Sequence, residues 1–149
     1  MLTLKIGDKE LKIKYGYEAT LKTRLLSRMA KKETETEEKE GMDSAENMLL
    51  FLPEFLLIGL QKYHFDDYGF DWENGEGKKG QEQKMFSLIE DYFDENEDED
   101  ALTLYNALSD EMLANGFLKS QFQKELNKAE NKQVVIEMKA VEATETRES

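Results

Sequence analysis

The most constraining feature of this chain is an almost continuous apolar run at residues 48–60, MLLFLPEFLLIGL. A helix that spans a membrane needs about 20 consecutive apolar residues, whereas this run is shorter and contains Pro53 and Glu54. We therefore predict the central helix of a globular domain, surrounded by other elements on nearly every side. Pro53 either kinks one helix or opens a second one, because proline is tolerated in the first turn of a helix.

The N-terminal residues alternate between apolar and polar side chains. This alternation covers residues 2–6 and returns at residues 11–13, on the two sides of Gly7-Asp8. A period of two predicts a β-hairpin, with its turn centred on Gly7-Asp8 or on Asp8-Lys9. Because an isolated hairpin is only marginally stable, we expect its apolar face to pack on helices.

The spacing of apolar residues predicts further helices around the central one. The first runs from residue 17 to about 32, with Leu21, Leu25 and Met29 on one face because they are four residues apart. Another runs from residue 81 to about 96. A third begins at residue 101 and ends at the C-cap signal Asn115-Gly116, after which a shorter helix continues through residue 126.

These elements predict the α+β class, predominantly α-helical, with the N-terminal β-hairpin packed on a bundle of about four to five helices. Residues 1–131 form a single domain in this interpretation, and residues 132–149 form a flexible C-terminal tail. Residues 31–41 have no apolar side chain, so they either extend the first helix or belong to a mobile acidic linker at about 31–42. The loop at 61–80 carries aromatic residues, which predicts that it packs against the core.

Two cofactor-like patterns fail their structural requirements. Residues 75–80 (GEGKKG) fit G-x-G-x-x-G, but no buried strand precedes them and no parallel sheet is predicted. Asp94, Asn96 and Asp98 match the first three ligand positions of a calcium-binding EF-hand loop. Glu99 and Tyr105 then stand where that loop needs a glycine and a bidentate glutamate. We predict neither a dinucleotide nor a calcium site.

Catalytic and metal chemistry have little support in the composition. The chain has no cysteine and a single histidine, His64, which lies near Asp66 and Asp67. A Cys–His pair is therefore excluded, and no second histidine or zinc-type spacing supports a metal site. We predict that the protein is not an enzyme and uses no cofactor and no metal. The N-terminus lacks a basic segment followed by an apolar run, so we expect no signal peptide.

The charge of the chain restricts its partners. The formal net charge is −13 and the sequence pI is about 4.6. Phosphate backbones are bound by lysine and arginine, so an acidic chain is repelled by nucleic acid and by anionic membrane surfaces. We therefore expect no nucleic acid and no membrane among its partners. The charge either serves solubility alone or keeps a complex with apolar surface in solution.

Three segments resemble the tail assembly chaperones of siphoviruses (long-tailed phages) that infect Gram-positive bacteria. Residues 4–17 (LKIGDKELKIKYGY) resemble the opening hairpin of that family. Residues 52–64 (LPEFLLIGLQKYH), followed by Asp66-Asp67-Tyr68-Gly69-Phe70, are similar to its central motif, which is the most specific of the three. Residues 111–117 (EMLANGF) resemble its closing helix. Together the resemblance covers most of residues 2–118, whereas 94–100 and the residues after 132 lie outside it.

The resemblance implies a non-catalytic protein that works in the host cytoplasm during infection and is absent from the mature virion. Such chaperones bind the tape-measure protein, keep it soluble and help to recruit tail-tube (major tail) subunits during tail morphogenesis. The resemblance carries no catalytic residue and no cofactor. The oligomeric state is left open, a homo-oligomer included.

A helper of this kind needs apolar surface for the amphipathic helices of its client. We expect part of the run at 48–60, or the helices between residues 102 and 122, to form a groove for them. The candidate partner-binding residues are Phe51, Phe55, Leu56, Tyr105, Met112 and Phe117. The competing interpretation, that most of these side chains belong to an ordinary core, stays open at this point.

Two other classes of function compete with the chaperone. The first is an acidic, DNA-mimic type inhibitor of a nucleic-acid-binding protein, which needs carboxylates at regular spacing on one face. Here the carboxylates concentrate in connections around residues 33–40 and 94–100, which argues against mimicry. The second is a small hydrolase that uses carboxylates, and it requires a polar pocket that the sequence does not locate.

Overall fold

A computed structural model of the chain describes residues 1–116. They form two strands and six helices, whose bounds are β1 Leu2–Ile6, β2 Lys9–Ile13, α1 Tyr17–Lys22, α2 Leu25–Glu37, α3 Met42–Leu60, α4 Phe65–Tyr68, α5 Lys78–Glu95 and α6 Ala101–Asn115. The predicted class, α+β with a predominance of helices and an N-terminal hairpin, is confirmed. The helix expected after residue 116 and the tail at 132–149 lie outside the described residues.

The hairpin has the first of the two predicted turns. β1 and β2 are antiparallel, and Ile6 pairs with Lys9, so Gly7 and Asp8 alone form the loop. Gly7 has a φ of 60°, a conformation that glycine adopts at little cost and that short hairpin loops require. The apolar residues of the alternation, among them Leu4 and Leu11, are buried against the helices.

The hairpin packs on helix α3 at Gly59. A Cβ at this position would lie 2.9 Å from Ile13 Cγ2 and 3.0 Å from the ring of Tyr15. The missing side chain therefore lets β2 approach the helix backbone closely. The Lys14 amide donates to the Gly59 carbonyl at 2.9 Å, and the Tyr15 hydroxyl donates to the Phe55 carbonyl at 2.9 Å. These bonds attach the hairpin to the C-terminal half of α3.

The apolar run forms one helix. α3 is continuous through Pro53, so this proline does not open a second helix. From Phe51 to Leu60 every residue except Glu54 is buried. The helix contacts α2, α4, α5, α6 and β2, as expected for a central helix whose apolar residues lie on all sides.

The first predicted helix is broken in two, which corrects the single helix expected from residue 17 to about 32. The break lies at Thr23-Arg24, where Arg24 has a left-handed φ of 57°. The Thr23 hydroxyl donates to the Ala19 carbonyl at 2.6 Å and closes the last turn of α1. The chain then changes direction, so Leu25 enters the core while Leu21 stays 46% exposed. The expectation that both lie on one face of a single helix was wrong.

The boundaries of the predicted acidic linker are also corrected. Residues 31–37 belong to α2, which ends at Glu37, so only residues 38–41 connect it to α3. This end of α2 is held by polar contacts and not by apolar packing. The buried Asn47 side chain donates to Thr36 Oγ1 at 2.6 Å and to the Lys32 carbonyl at 3.3 Å. The helical alternative for this stretch is therefore the one that forms.

The aromatic loop packs on the core, as predicted, and Gln61 organises it. Its side-chain amide donates to the carbonyls of Leu57 and Tyr68 at 3.0 and 2.9 Å. Its oxygen accepts a hydrogen bond from the Trp72 indole at 2.9 Å. Tyr68 and Phe70 are buried. A buried amide with all these partners ties the end of α3 to the loop that follows.

Replacing Gln61 with leucine is expected to lower the free energy of unfolding by about 1–2 kcal/mol, because it leaves a part-buried indole N–H and the buried Tyr68 carbonyl without this partner. Urea unfolding followed by circular dichroism measures this change. Gln83 is exposed on α5 and offers the matched control, since the same substitution there should change stability by less than about 0.5 kcal/mol. Equal midpoints for the two variants would contradict the role assigned to Gln61.

Helices α5 and α6 complete the bundle. The buried face of α5 consists of Met85, Leu88, Ile89 and Tyr92. At the start of α6 the Asp100 carboxylate accepts from the Thr103 amide at 2.9 Å, and Thr103 Oγ1 accepts from the Asp100 amide at 2.8 Å. This capping box ends the acidic connection and begins the helix.

Candidate functional site

An apolar groove of about 340 Å³ opens between the N-terminal half of α3 and the start of α6. We call it the α3–α6 groove. Its walls carry aliphatic side chains from both helices, a tyrosine ring and a single carboxylate, and its lining residues are Ala45, Met48, Leu49, Leu52, Asp100, Ala101, Leu102 and Tyr105.

The rim of the groove exposes large apolar side chains. Leu49 is 48% and Leu102 is 62% exposed, one from each wall. Leu52 is buried at the floor, and Tyr105 beside it is half-buried. Single exposed leucines are common on soluble proteins, but a concave cluster of them is typical of a binding site. Burying these side chains against a partner would be favourable by roughly 25 cal/mol for each Å² removed from water.

The groove follows from the composition of α3. A helix that is apolar on nearly all sides needs cover on every side, and the hairpin, α2, α5 and α6 supply most of it. At the N-terminal half of α3, α2 is held by the polar side chain of Asn47. Met48 and Leu49 face the gap that remains between α3 and α6. The groove is therefore one of the parts of the central helix that the described elements leave uncovered.

The floor of the groove rests on an aromatic cluster. Phe55 lies beneath it, with its ring centroid 5.3 Å from that of Tyr105 and 5.0 Å from that of Tyr15. Burial, with a smaller contribution from the charge of Glu33, raises the pKa of Tyr105 above its ordinary value. The hydroxyl is therefore neutral at physiological pH, and the floor carries no charge from this ring.

The structure separates the six candidate partner-binding residues. Phe51, Phe55, Leu56 and Met112 are all buried in the core and present no surface to a partner. The core interpretation therefore applies to these four, because neighbouring elements cover the faces of α3 and α6 on which they lie. Tyr105 alone lines the α3–α6 groove. Phe117 lies outside the described residues.

The segments expected to form a groove, 48–60 and 102–122, contain the rim residues, but the six named candidates do not include them. Leu49 and Leu102 carry the exposed apolar surface, yet neither is a candidate in the sequence interpretation. The length of the apolar run did indicate an uncovered surface. Its N-terminal part has apolar side chains on several sides of the helix, and one packing partner covers only one of them. The sequence pattern does not say which of these sides is left bare.

The negative charge is unevenly distributed along the chain. Residues 1–53 contain ten basic and ten acidic side chains, whereas residues 54–116 contain four basic and seventeen acidic ones. The remaining residues, 117–149, contain six of each sign. The whole net charge therefore lies between the second half of α3 and the end of α6.

The motifs that were set aside on sequence grounds have structural roles. His64 Nε2 accepts the Lys12 amide at 2.9 Å, so this histidine caps the hairpin edge. Gly75 and Gly77 precede α5 and Gly80 lies in its first turn, no strand comes directly before them, and the sheet of residues 1–116 is antiparallel. The Asn96 side chain turns back to donate to the Tyr92 carbonyl at 2.8 Å. In the part of the chain that is described, no group of three potential metal ligands comes together.

Comparison of the chain with protein-family models, with curated proteins and with solved structures finds no match. Among residues 1–116, no helix has both the length and the apolar composition needed to cross a membrane. The geometry thus defines a helical α+β domain with an apolar groove between two of its helices.

Proposed function

We propose that this protein is a non-catalytic tail assembly chaperone that holds the tape-measure protein through its α3–α6 groove. The single observation that carries the proposal is a concave apolar surface, rimmed by Leu49 and Leu102, on a chain with a net charge of −13. The resemblance of residues 4–17, 52–64 and 111–117 to siphovirus chaperones supports the choice of client.

The groove suits an amphipathic helix. Such a helix places apolar side chains at positions i, i+3, i+4 and i+7 on one stripe, and a groove between two helices receives them as a row. Leu49 and Leu102 would contact this stripe from opposite walls, and Tyr105 would contact it from below. A tape-measure chain before assembly exposes stripes of this kind, so covering them prevents its self-association.

The charge has a complementary role in this proposal. A client covered at its apolar stripe stays in solution when the complex repels copies of itself, which a strong net charge provides. The protein then acts in the host cytoplasm during infection, helps to recruit tail-tube subunits, and is left behind when the virion is complete.

The location of the charge also favours an alternative, a DNA-mimic inhibitor. All net negative charge lies in residues 54–116, and this observation supports the DNA-mimic alternative. Mimicry needs carboxylates that follow the spacing of phosphates along a duplex. Six carboxylates instead gather at the end of α5 and in the connection to α6, namely Asp94, Glu95, Glu97, Asp98, Glu99 and Asp100. The chaperone is therefore the function we favour.

Replacing Leu49 or Leu102 with aspartate is expected to reduce co-purification of the co-expressed tape-measure protein at least about tenfold, because a charge in an apolar groove loses its hydration on binding. Both positions are exposed, so the free energy of unfolding should change by less than about 1 kcal/mol. Soluble yield of the tape-measure protein, with and without this chain, is the second readout.

Leu50 offers a matched control for this experiment. It is 64% exposed on the same helix but does not line the groove, so Leu50→Asp should bind the client as the unmodified chain does. Equal binding by the Leu49→Asp and Leu50→Asp variants would remove the groove from the proposal. Absence of any association between the unmodified chain and the tape-measure protein would remove the function. Competition with DNA for a DNA-binding protein would then test the alternative.

A further inference from the structure

The two outer edges of the hairpin differ in how their backbone groups are paired. On β2, the Lys12 amide donates outward to His64 Nε2 and the Lys14 amide donates to the Gly59 carbonyl, each at 2.9 Å. This edge is therefore closed by the loop after α3 and by α3 itself. An edge covered in this way cannot pair with another strand.

Among residues 1–116, no element pairs with the outer edge of β1. Thr3 pairs with Lys12, whose amide points away from β1, so Thr3 also directs its N–H and C=O outward. Lys5 lies two residues on and has the same orientation, because the pattern of an antiparallel ladder repeats every second residue. Across residues 1–116, no hydrogen bond reaches the outward backbone groups of Thr3 or Lys5.

A second groove, of about 590 Å³, lies along this open edge. We call it the β1 groove. Residues 2–5 form one side of it, and the end of α5, the acidic connection and α6 form the other. The residues of that second side are Tyr92, Asn96, Glu99, Thr103, Asn106, Ala107 and Asp110. The unpaired strand edge therefore borders a concave space rather than a flat surface.

The charge of the β1 groove determines what can enter it. Two acidic residues, Glu99 and Asp110, and one basic residue, Lys5, line it, and residues 90–100 contain eight acidic side chains and no basic one. The charge of Glu99 also contributes, after burial, to the raised pKa of Tyr92, which places that carboxylate close to the groove. A second copy of this chain would bring an equally acidic groove to the same edge and would be repelled. A segment with lysine or arginine would be attracted.

We propose that the outer edge of β1 binds an extended segment of a partner protein with lysine or arginine side chains, which adds to the hairpin as a third strand. The backbone groups of Thr3 and Lys5 supply the pairing, as in other cases of strand addition. Alternate side chains of the added strand point into the β1 groove, where the basic ones meet Glu99 and Asp110. The site shares no lining residue with the α3–α6 groove and goes beyond the function proposed there.

The test uses the full chain and a synthetic nine-residue peptide of alternating lysine and valine. Binding is measured by fluorescence anisotropy, and hydrogen exchange by NMR reports on the amides of Thr3 and Lys5. We expect binding that weakens with added salt, together with slowed exchange of these two amides. A glutamate–valine peptide of equal length should not bind, and the Leu49→Asp variant should bind the lysine peptide normally.

Two pairs of variants isolate the contributions of backbone and charge. Thr3→Pro removes the outward N–H at a position where an edge strand tolerates proline, whereas Thr3→Val retains it. Thr3→Pro should bind the peptide at least about tenfold more weakly than Thr3→Val, because it loses one pairing bond and its ring blocks the edge. Glu99→Gln combined with Asp110→Asn should also weaken binding and flatten its salt dependence.

Several outcomes would overturn the proposal. Equal affinities for Thr3→Pro and Thr3→Val would do so, and so would equal affinities for the lysine and glutamate peptides. Thr3→Pro could also lower the melting temperature, in which case its weaker binding would not be informative. The test is then hydrogen exchange in the unmodified chain, because Thr3 and Lys5 amides that stay unprotected in the peptide complex exclude strand addition. Sedimentation that shows a dimer with protected Thr3 and Lys5 amides in the absence of peptide would assign the edge to a second copy instead.

Discussion

Replacing Phe55 with alanine is expected to lower the free energy of unfolding by about 3–5 kcal/mol, the range observed when a buried phenylalanine is truncated. Phe55 is fully buried at the centre of α3, and its ring lies 5.0 Å from that of Tyr15, 5.8 Å from that of Phe51 and 5.3 Å from that of Tyr105. The substitution removes contacts with the hairpin, with α3 and with α6 together. Because domains are stable by only about 5–15 kcal/mol, a large part of the total is lost.

Urea unfolding measures this effect, and Phe86→Ala provides the control. Phe86 is 49% exposed on α5, so its truncation should cost less than about 1 kcal/mol. The experiment also tests the sequence expectation that Phe55 contacts a partner. A Phe55→Ala variant that is as stable as Phe86→Ala but no longer binds the tape-measure protein would restore that expectation and contradict the core position.

Replacing Glu54 with glutamine is expected to cost about 3 kcal/mol, at the low end of the range for breaking a buried ion pair by removing one partner. Glu54 has a side chain only 12% exposed and forms ion pairs with both Arg28 of α2 and Lys78 of α5. Its loss leaves two cations without their shared counter-charge. The cost is at the low end because the Arg28 and Lys78 side chains remain 37% and 24% exposed and keep some contact with water.

Glu82 gives a matched control for this substitution. Its carboxylate lies 3.8 Å from Lys78 Nζ and its side chain is 33% exposed, so Glu82→Gln should cost less than about 1 kcal/mol. Thermal unfolding of the two variants at the same pH and salt concentration provides the comparison. Equal melting temperatures would mean that Glu54 contributes as an ordinary surface pair and does not link α2 and α5 to the central helix.

Helix α3 combines the two kinds of surface that the proposed function needs. Its C-terminal half carries Gly59 and Phe55 and holds the hairpin, so substitutions there act through stability. Its N-terminal half exposes Leu49 to the α3–α6 groove, so substitutions there act on binding. This division allows mutations in one helix to separate folding from client binding.

Local patterns in the sequence were sufficient for much of the fold. The period of two around Gly7 predicted the hairpin, because successive side chains of a strand point to opposite faces. The apolar run at 48–60 predicted a central helix, because a helix with apolar residues on all sides must be surrounded. The end of α6 at Asn115 and the packing of the aromatic loop were also predicted. Each of these signals lies within a few neighbouring residues.

Other features depended on contacts between residues far apart in the chain. The break at Arg24 was missed because the spacing of Leu21, Leu25 and Met29 fits a straight helix, and only burial distinguishes Leu25 from Leu21. Residues 31–37 are helical and receive hydrogen bonds from Asn47, which lies on another helix.

The candidate site shows the same division between sequence and tertiary structure. The sequence by itself determined that α3 has more apolar surface than one neighbour can cover, and that the chain as a whole is strongly acidic. It did not determine that Phe51 enters the core while Leu49 lies at the rim of a groove. Both residues are large and apolar, so their local preferences are alike. Only the packing of the other elements around α3 decided which of the two is covered, because burial is a property of the packed helices and not of the residue type.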